Sequence, residues 1–157
     1  MSVRIRRLLD CDLPEVYAIE KKVFPEDFWT DTTFASELAQ PGTRHYFVAE
    51  ADEVIVGYAG LSTAGGGDQA DVQTIAVRAD RQGEGIGTAL LTELIAEAES
   101  RGCRELFLDV RADNDRARLL YRRTGFTDIG VRRRYYQPSG TDAIVMCMRL
   151  PRRKGRS

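Results

Sequence analysis

The 157-residue chain carries 23 Lys and Arg against 24 Asp and Glu, a formal charge of −1, with 43% hydrophobic residues. That length and apolar content suit one domain able to bury its own core, and the near-neutral balance excludes a generally basic nucleic-acid binder. Three cysteines, Cys11, Cys103 and Cys147, form no CxxC pair, which points away from a disulfide framework or a zinc site.

In chain order, "VRIRRL" alternates like an edge strand, and "DLPEVYAIEKKVF" reads as a helix with Asp12 as N-cap, Pro14 in its first turn and Val16, Ile19 and Val23 at helical spacing. "TDTTFASELAQPG" is a second short helix that stops at Pro41-Gly42. "RHYFVAEAD" and "VIVGYAGLS" pair as a hairpin through Asp52-Glu53, and "TAGGGDQ" is a loop. "ADVQTIAVRAD" is a further strand, and "GIGTALLTELIAEAESRG" is the clearest amphipathic helix, ended by Gly102. The strand "ELFLDV" leads to a helix capped by Asp113 or Asn114 and broken at Gly125. "FTDIGVRRRYY" and "DAIVMCMRL" are two last strands around "QPSGT". No repeat or linker divides this order, so residues 1–150 are read as one domain. The basic residues of 151–157 form a tail that is expected to be solvated and flexible, an RNA or ribosome contact being the alternative. No run approaches the ~20 apolar residues that span a bilayer, and the first residues lack the apolar stretch of a secretion signal. A cytoplasmic protein with no membrane contact is expected.

"RQGEGIGTALL" carries the strongest chemical signal. Gly83, Gly85 and Gly87 leave backbone N–H groups unobstructed where a helix begins, which makes a cradle for an anion. A nucleotide P-loop would need a Lys after its last glycine, and Thr88 stands there; a dinucleotide fingerprint would need another spacing early in repeated βαβ units.

"QGEGIG", Gln82 to Gly87, resembles the signature of the GNAT superfamily of N-acetyltransferases, and the order of elements is similar. The likeness extends over essentially the whole domain. It sharpens toward the ribosomal-protein-alanine N-acetyltransferase branch in "FPEDFW", "DVQTIAV", "VRADNDRARLLYRRTGF" and "RRRYYQPSGTDAIVM". The resemblance implies an α+β, three-layer fold, with a mixed, mostly antiparallel sheet of about six to seven strands flanked by about four helices. It implies acetyl-CoA as co-substrate, no metal, and a protein N-terminus, in that branch a ribosomal protein's alanine, as acceptor. Carried onto this chain, it places Ile75, Ala76 and Val77 beside the acetyl group and pantetheine. Gln82, Gly83, Glu84, Gly85, Ile86, Gly87 and Thr88 fall at the pyrophosphate, and Asn114 at the pantetheine arm. Tyr121, two helical turns after Asn114 and on the same face, is implied as the acid that protonates the departing thiolate. Phe24, Glu26, Tyr135 and Tyr136 are implied to line the acceptor groove.

Asp109 stands on a strand that is otherwise apolar on both faces, with Leu106, Leu108 and Val110 on one side and Phe107 beside Asp109 on the other. It is either a strand-end acid satisfied by backbone or Arg111, or the general base. The resemblance implies the latter, although the relatives carry Glu there; Asp withdraws the carboxylate by about 1.5 Å and favours relay through water. Glu26 is the rival base. A weakly placed base suits an α-amine, about a quarter of which is neutral near pH 7.4, far better than a lysine, about one part in a thousand. Of the paired tyrosines, one is expected to meet substrate and one to pack. His45 is expected on a strand surface and Cys103 away from the cleft. Acetylation of lysine or a small amine, and a noncatalytic acetyl-CoA sensor, remain the alternatives.

Overall fold

The computed structural model describes residues 3–64 and 67–151; the predicted basic tail, from residue 152 on, lies outside the described residues. Among the described residues seven strands form one sheet: β1 (Val3–Arg7), β2 (Arg44–Ala51), β3 (Val54–Ser62), β4 (Gln69–Val77), β5 (Glu105–Arg111), β6 (Thr127–Tyr136) and β7 (Thr141–Arg149). Their spatial order is β1-β2-β3-β4-β5-β7-β6. Every neighbouring pair is antiparallel except β4 and β5, which the long helix α3 (Ile86–Ser100) joins as a crossover. The β2–β3 hairpin turns on Asp52 and Glu53, both at positive φ (53° and 64°), as a tight two-residue turn matched to strand twist requires.

Two cores form because the central strands β2 and β3 are buried on both faces along nearly their whole length. On one face, helices α1 (Leu13–Val23) and α2 (Asp31–Leu38) bury Val16, Ile19 and Phe34 against Val48, Ile55, Tyr58 and Ala76. On the other, α3 buries Leu90, Leu91, Leu94 and Ala98, and Tyr121 of α4 (Asp115–Thr124) and Phe126 just beyond it join Leu106, Leu108 and Met146 in the same core. The expected three-layer α+β architecture, seven strands and four helices, is thus observed.

Local departures have identifiable causes. Asp12 stands at the N-cap position of α1, as expected, but its side chain makes no cap bond; it also closes a 3-10 turn, Asp10–Asp12, and its carboxylate takes a bidentate pair of bonds from Arg6 (2.7 and 2.9 Å) and one from the Leu9 N–H (2.7 Å). His45 is buried, 3% exposed, rather than on a strand surface, since β2 is covered on both faces. Burial holds its imidazole below the usual pKa. Asn114, not Asp113, caps α4, its Oδ1 accepting from the Ala117 N–H at 3.1 Å, while Asp113 binds Arg111.

The sheet is least continuous along β4. This strand pairs with β5 over only three residues, Gln69–Asp71 against Glu105–Phe107, and then the two part. Against β3, its register slips between Thr74 and Val72, leaving Gln73 as the extra residue of a β-bulge. A bulge bends its strand, so β4 follows β3 while β5 follows β7, and a wedge opens in mid-sheet.

Candidate active site

The wedge holds a cavity of about 130 Å³ whose walls come from both separated strands, α4, and the Phe24–Trp29 loop between α1 and α2. Backbone geometry decides which of its polar groups are free. The Arg78 N–H bonds the Val56 carbonyl at 2.8 Å, so by strand alternation Thr74, Ala76 and Arg78 turn their N–H groups toward β3, and Ile75 and Val77 turn theirs toward the gap. Of the three implied positions, Ile75 and Val77 therefore offer backbone groups to a ligand. Ala76 is buried against α1 and α2 and contributes packing.

Beyond β4 the chain makes the glycine-rich turn. Gln82 donates from Nε2 to the Val77 carbonyl at 3.2 Å, and Arg81 and Glu84 pair at 3.0 Å, which fixes the turn from both sides. Gly85 is the N-cap of α3 in the left-handed region (φ 85°), with no side-chain cap. A Cβ added at Gly83 or Gly85 would meet nothing within 4 Å, so those Cα atoms border open space. The first intrahelical bond runs from the Ala89 N–H to the Gly85 carbonyl, leaving the amides of Ile86, Gly87 and Thr88 available at the positive end of the helix dipole. The residues fit a diphosphate: several convergent N–H groups, no acidic residue in the first helical turn, and space in front of them.

Asn114 and Tyr121 both line the cleft from α4. The Asn114 cap occupies its oxygen and leaves the Nδ2 donors for the cavity. The Tyr121 ring packs edge-on against Phe126 at 5.8 Å, and its hydroxyl has no hydrogen-bond partner among the described residues. Burial, with Tyr136 adding to it, pushes this phenol above its ordinary pKa, so it keeps its proton at physiological pH.

Of the residues implied to line an acceptor groove, Phe24 and Tyr136 line the cavity, whereas Tyr135 is half exposed. The two tyrosine rings meet edge-on at 5.1 Å rather than pointing apart, because Arg134, within the β6 bulge between Arg132 and Tyr136, takes a positive φ of 52° and turns the strand. Asp109 lines the cleft with its side chain 27% exposed and paired to Arg132 Nε at 3.3 Å. Arg111, the sequence neighbour expected to satisfy Asp109, instead binds Asp113 (3.0 Å), Thr141 (3.1 Å) and Asp27 (3.4 Å) and lies over the Tyr136 ring. Glu26 is exposed at the mouth, 3.5 Å from Arg111, and its neighbour Asp27 reaches the cavity wall in its place. Cys103 is buried with its thiol near the Gln69 carbonyl, outside the cleft.

Sequence reasoning missed four groups. Glu20 of α1 is buried beside the cavity and accepts from the Tyr58 hydroxyl and the Trp29 N–H (2.8 Å). Asp27 and Arg111 tie the loop to β5. Glu37 of α2 gathers the Tyr46 hydroxyl (2.6 Å), Arg44 (2.9 Å) and the bulged Gln73 (2.9 Å). Both glutamates had a legible signal: each is an acid inside the apolar stripe of an amphipathic helix, Glu20 four residues after Val16 and Glu37 three after Phe34.

The model of the acetyltransferase (GNAT) family matches residues 5–126, most of the chain and every element of the cleft up to α4. The chain belongs to that family. The family transfers acetyl from acetyl-CoA, so this protein is an acetyl-CoA-dependent N-acetyltransferase. Among curated relatives, it is 41% identical over 147 residues to the N-alpha-acetyltransferase RimI of Mycobacterium tuberculosis, covering 92% of this chain and 90% of that one. To the ribosomal protein bS18-alanine N-acetyltransferase of Escherichia coli K12 it is 38% identical, with 92% and 95% covered. The crystal structure of the S18-alanine N-acetyltransferase from Escherichia coli superposes with a TM-score of 0.84 over 99% of both chains at 33% identity. Among the described residues no helix is long and apolar enough to cross a membrane, and no cluster of His, Cys, Asp or Glu could hold a metal ion.

Proposed function

We propose that this GNAT enzyme acetylates the α-amino group of a protein N-terminus, with a ribosomal protein beginning in Ala as the acceptor. The observation that carries the reading is the likeness to RimI enzymes over nine-tenths or more of each chain. The two-sided cleft supports it, with an anion cradle at one end and an aromatic, acid-lined mouth at the other.

In this reading the amides of Ile86, Gly87 and Thr88, with the open turn at Gly83 to Gly85, hold the diphosphate of acetyl-CoA. Gln82 and Glu84 brace that turn, and Asn114 donates to the pantetheine amides. The Ile75 and Val77 amides face the gap, where they stabilise negative charge on the thioester oxygen as the amine attacks. Tyr121, kept protonated by burial, gives its proton to the leaving sulfur and regains one from the newly acylated nitrogen. Phe24 and Tyr136 enclose the first acceptor residue, with Tyr135 and Glu26 at the rim. Two carboxylates stand on the cleft wall as candidates for the ammonium proton: Asp109, held by Arg132, and the buried Glu20.

The test is incubation with acetyl-CoA and peptides that differ at residue one, an N-terminally blocked peptide containing lysine, and small amines, each scored by mass. Acetylation confined to free N-termini and fastest for Ala is the expected result. Transfer to lysine or small amines alone would overturn the reading.

A further inference from the structure

Among the described residues three side-chain carboxylates are buried: Asp12, Glu20 and Glu37, at 5%, 2% and 8% exposure. Asp12 is neutralised by Arg6 at 2.7 Å and Glu37 by Arg44 at 2.9 Å. Glu20, the most buried, has no cation within salt-bridge distance among the described residues, and it alone of the three lines the cleft. The other acids around the cavity are each paired, Asp109 to Arg132 and both Asp27 and Glu26 to Arg111. A buried carboxylate lacking a countercharge is costly unless something supplies the charge. The cleft in front of this one is where a protonated amine must arrive.

We infer that Glu20 is the group that receives the proton of the acceptor's ammonium, the incoming cation being the countercharge that the protein leaves out. The inference rests on the proposed N-terminal acetylation and deepens it. Glu20 is aimed by the Trp29 N–H from the loop, by Tyr58 from β3, and by the Thr74 hydroxyl of β4, which itself lines the cavity. Three donors on about four lone-pair sites leave one site free to meet the ammonium. One N–H bond of the ammonium breaks, one O–H bond forms at Glu20, and the electron pair stays on nitrogen for attack on the thioester. After sulfur and Tyr121 have exchanged protons with the acylated nitrogen, Glu20 releases its proton to solvent, so one proton leaves per turnover.

The electrostatic surroundings agree with that role. Burial raises the Glu20 pKa above the ordinary carboxylate value, hydrogen bonds from Tyr58, Trp29 and Thr74 oppose the rise, and the negative Asp27 of the loop adds to it. The ionisable groups facing it are Tyr58 of β3, Tyr46 of β2 and Asp27; α2 presents the apolar Phe34 to this core. A base must be unprotonated to act, so kcat/KM for an Ala-initiated peptide should fall below the pKa of Glu20.

The experiment records kcat/KM against pH for the wild type and for Glu20→Gln, Asp109→Asn, Tyr58→Phe and Asp27→Asn, with acetyl-CoA affinity measured by calorimetry. Glu20→Gln is expected to lose about 100-fold or more in kcat/KM with cofactor affinity unchanged within about twofold. In Tyr58→Phe, which removes a stabilising donor, the acid limb should move to higher pH. In Asp27→Asn, which removes a like charge, it should move lower, and in Asp109→Asn it should stay. If Glu20→Gln does not fold, the opposite displacements in the other two variants still decide. A Glu20→Gln enzyme within about threefold of wild type, a limb that stays in both Tyr58→Phe and Asp27→Asn, or a limb that vanishes in Asp109→Asn would each overturn the assignment. Should wild type acetylate only lysine or small amines, the acceptor reading fails, whereas the limb displacements, read on that amine, still judge Glu20.

Discussion

Replacing Glu37 with Ala tests whether the β4 bulge is held by the network beneath it. The Glu37 carboxylate accepts from the Tyr46 hydroxyl at 2.6 Å, Gln73 Nε2 at 2.9 Å and Arg44 Nε at 2.9 Å. Burial alone would raise its pKa, but the three donors outweigh burial and hold it below the ordinary value. Removing the acceptor strands a buried phenol and a part-buried amide, each costing about 1–3 kcal/mol, and leaves a shielded guanidinium without its countercharge. A total of about 4 kcal/mol is expected, and at roughly 2–4 °C per kcal/mol for a chain of this size the Tm falls by roughly 8–16 °C. Tyr46 cannot relax into the space, because its ring already lies where a Cβ on Gly60 would be. Thermal unfolding followed by circular dichroism gives the shift, and peptide kinetics should show a raised KM, since Gln73 sets the bend that turns Ile75 into the gap. A Tm fall below about 3 °C would refute the reasoning, for it would mean that the network contributes no more than a surface pair.

Three more outcomes depend on single groups. Tyr121→Phe should lower kcat by about 100-fold or more with little change in acetyl-CoA affinity, and leave Tm nearly unchanged because the hydroxyl has no partner to orphan among the described residues; unchanged turnover would remove it from the reaction. Gly85→Ala forces a side chain into the left-handed region at φ 85°, and should cost about 1–2 kcal/mol of stability; calorimetry with coenzyme A should show weaker binding, and equal affinity would mean that the turn is not the cradle. Hydrogen bonds from Arg6 hold the Asp12 carboxyl below its usual pKa despite burial, so its stabilisation is complete above the unfolded pKa near 3.8 and disappears as pH falls through the lowered folded value. Asp12→Asn should therefore cost stability at pH 7 and flatten the acid side of the Tm–pH curve, and parallel curves for both proteins would exclude the linkage.

Much of the fold was legible in the chain because the signals were local. The Asp52-Glu53 turn, the glycine-rich start of α3, a cap at Asp113 or Asn114 and the Gly125 stop depend on a few consecutive residues, and the structure has each where it was expected, with Asn114 as the cap. Asp12 is at the N-cap position but its side chain does not cap the helix, for a non-local reason: Arg6, on a strand, captured the carboxylate that a helix N-terminus would otherwise have used. His45 was misplaced because alternation cannot tell a strand covered on one face from one covered on both. Arg111 was the natural sequence neighbour for Asp109. Their side chains share a strand face, yet the loop acids Asp27 and Glu26, distant in sequence, drew the guanidinium away and left Arg132 to pair with Asp109.

The position of the cleft itself is a consequence of two strands with different obligations. A parallel pair in an otherwise antiparallel sheet is the weakest seam, and here it extends over three residues before the bulge at Gln73 ends it. A gap in the middle of a sheet would ordinarily be intolerable, since it leaves N–H and C=O groups of both strands without partners. It persists because each side is secured from behind. Glu37 holds the bulged Gln73 and Glu20 contacts Thr74, so the helices of one layer restrain β4, while β5 keeps its full register with β7 from Glu105 to Arg111. The same helices that stabilise the opening therefore deliver a carboxylate to it. In the proposed reading, the Ile75 and Val77 N–H groups that face the gap gain partners when a thioester and its pantetheine arm lie along β4, so that ligand binding would complete the sheet.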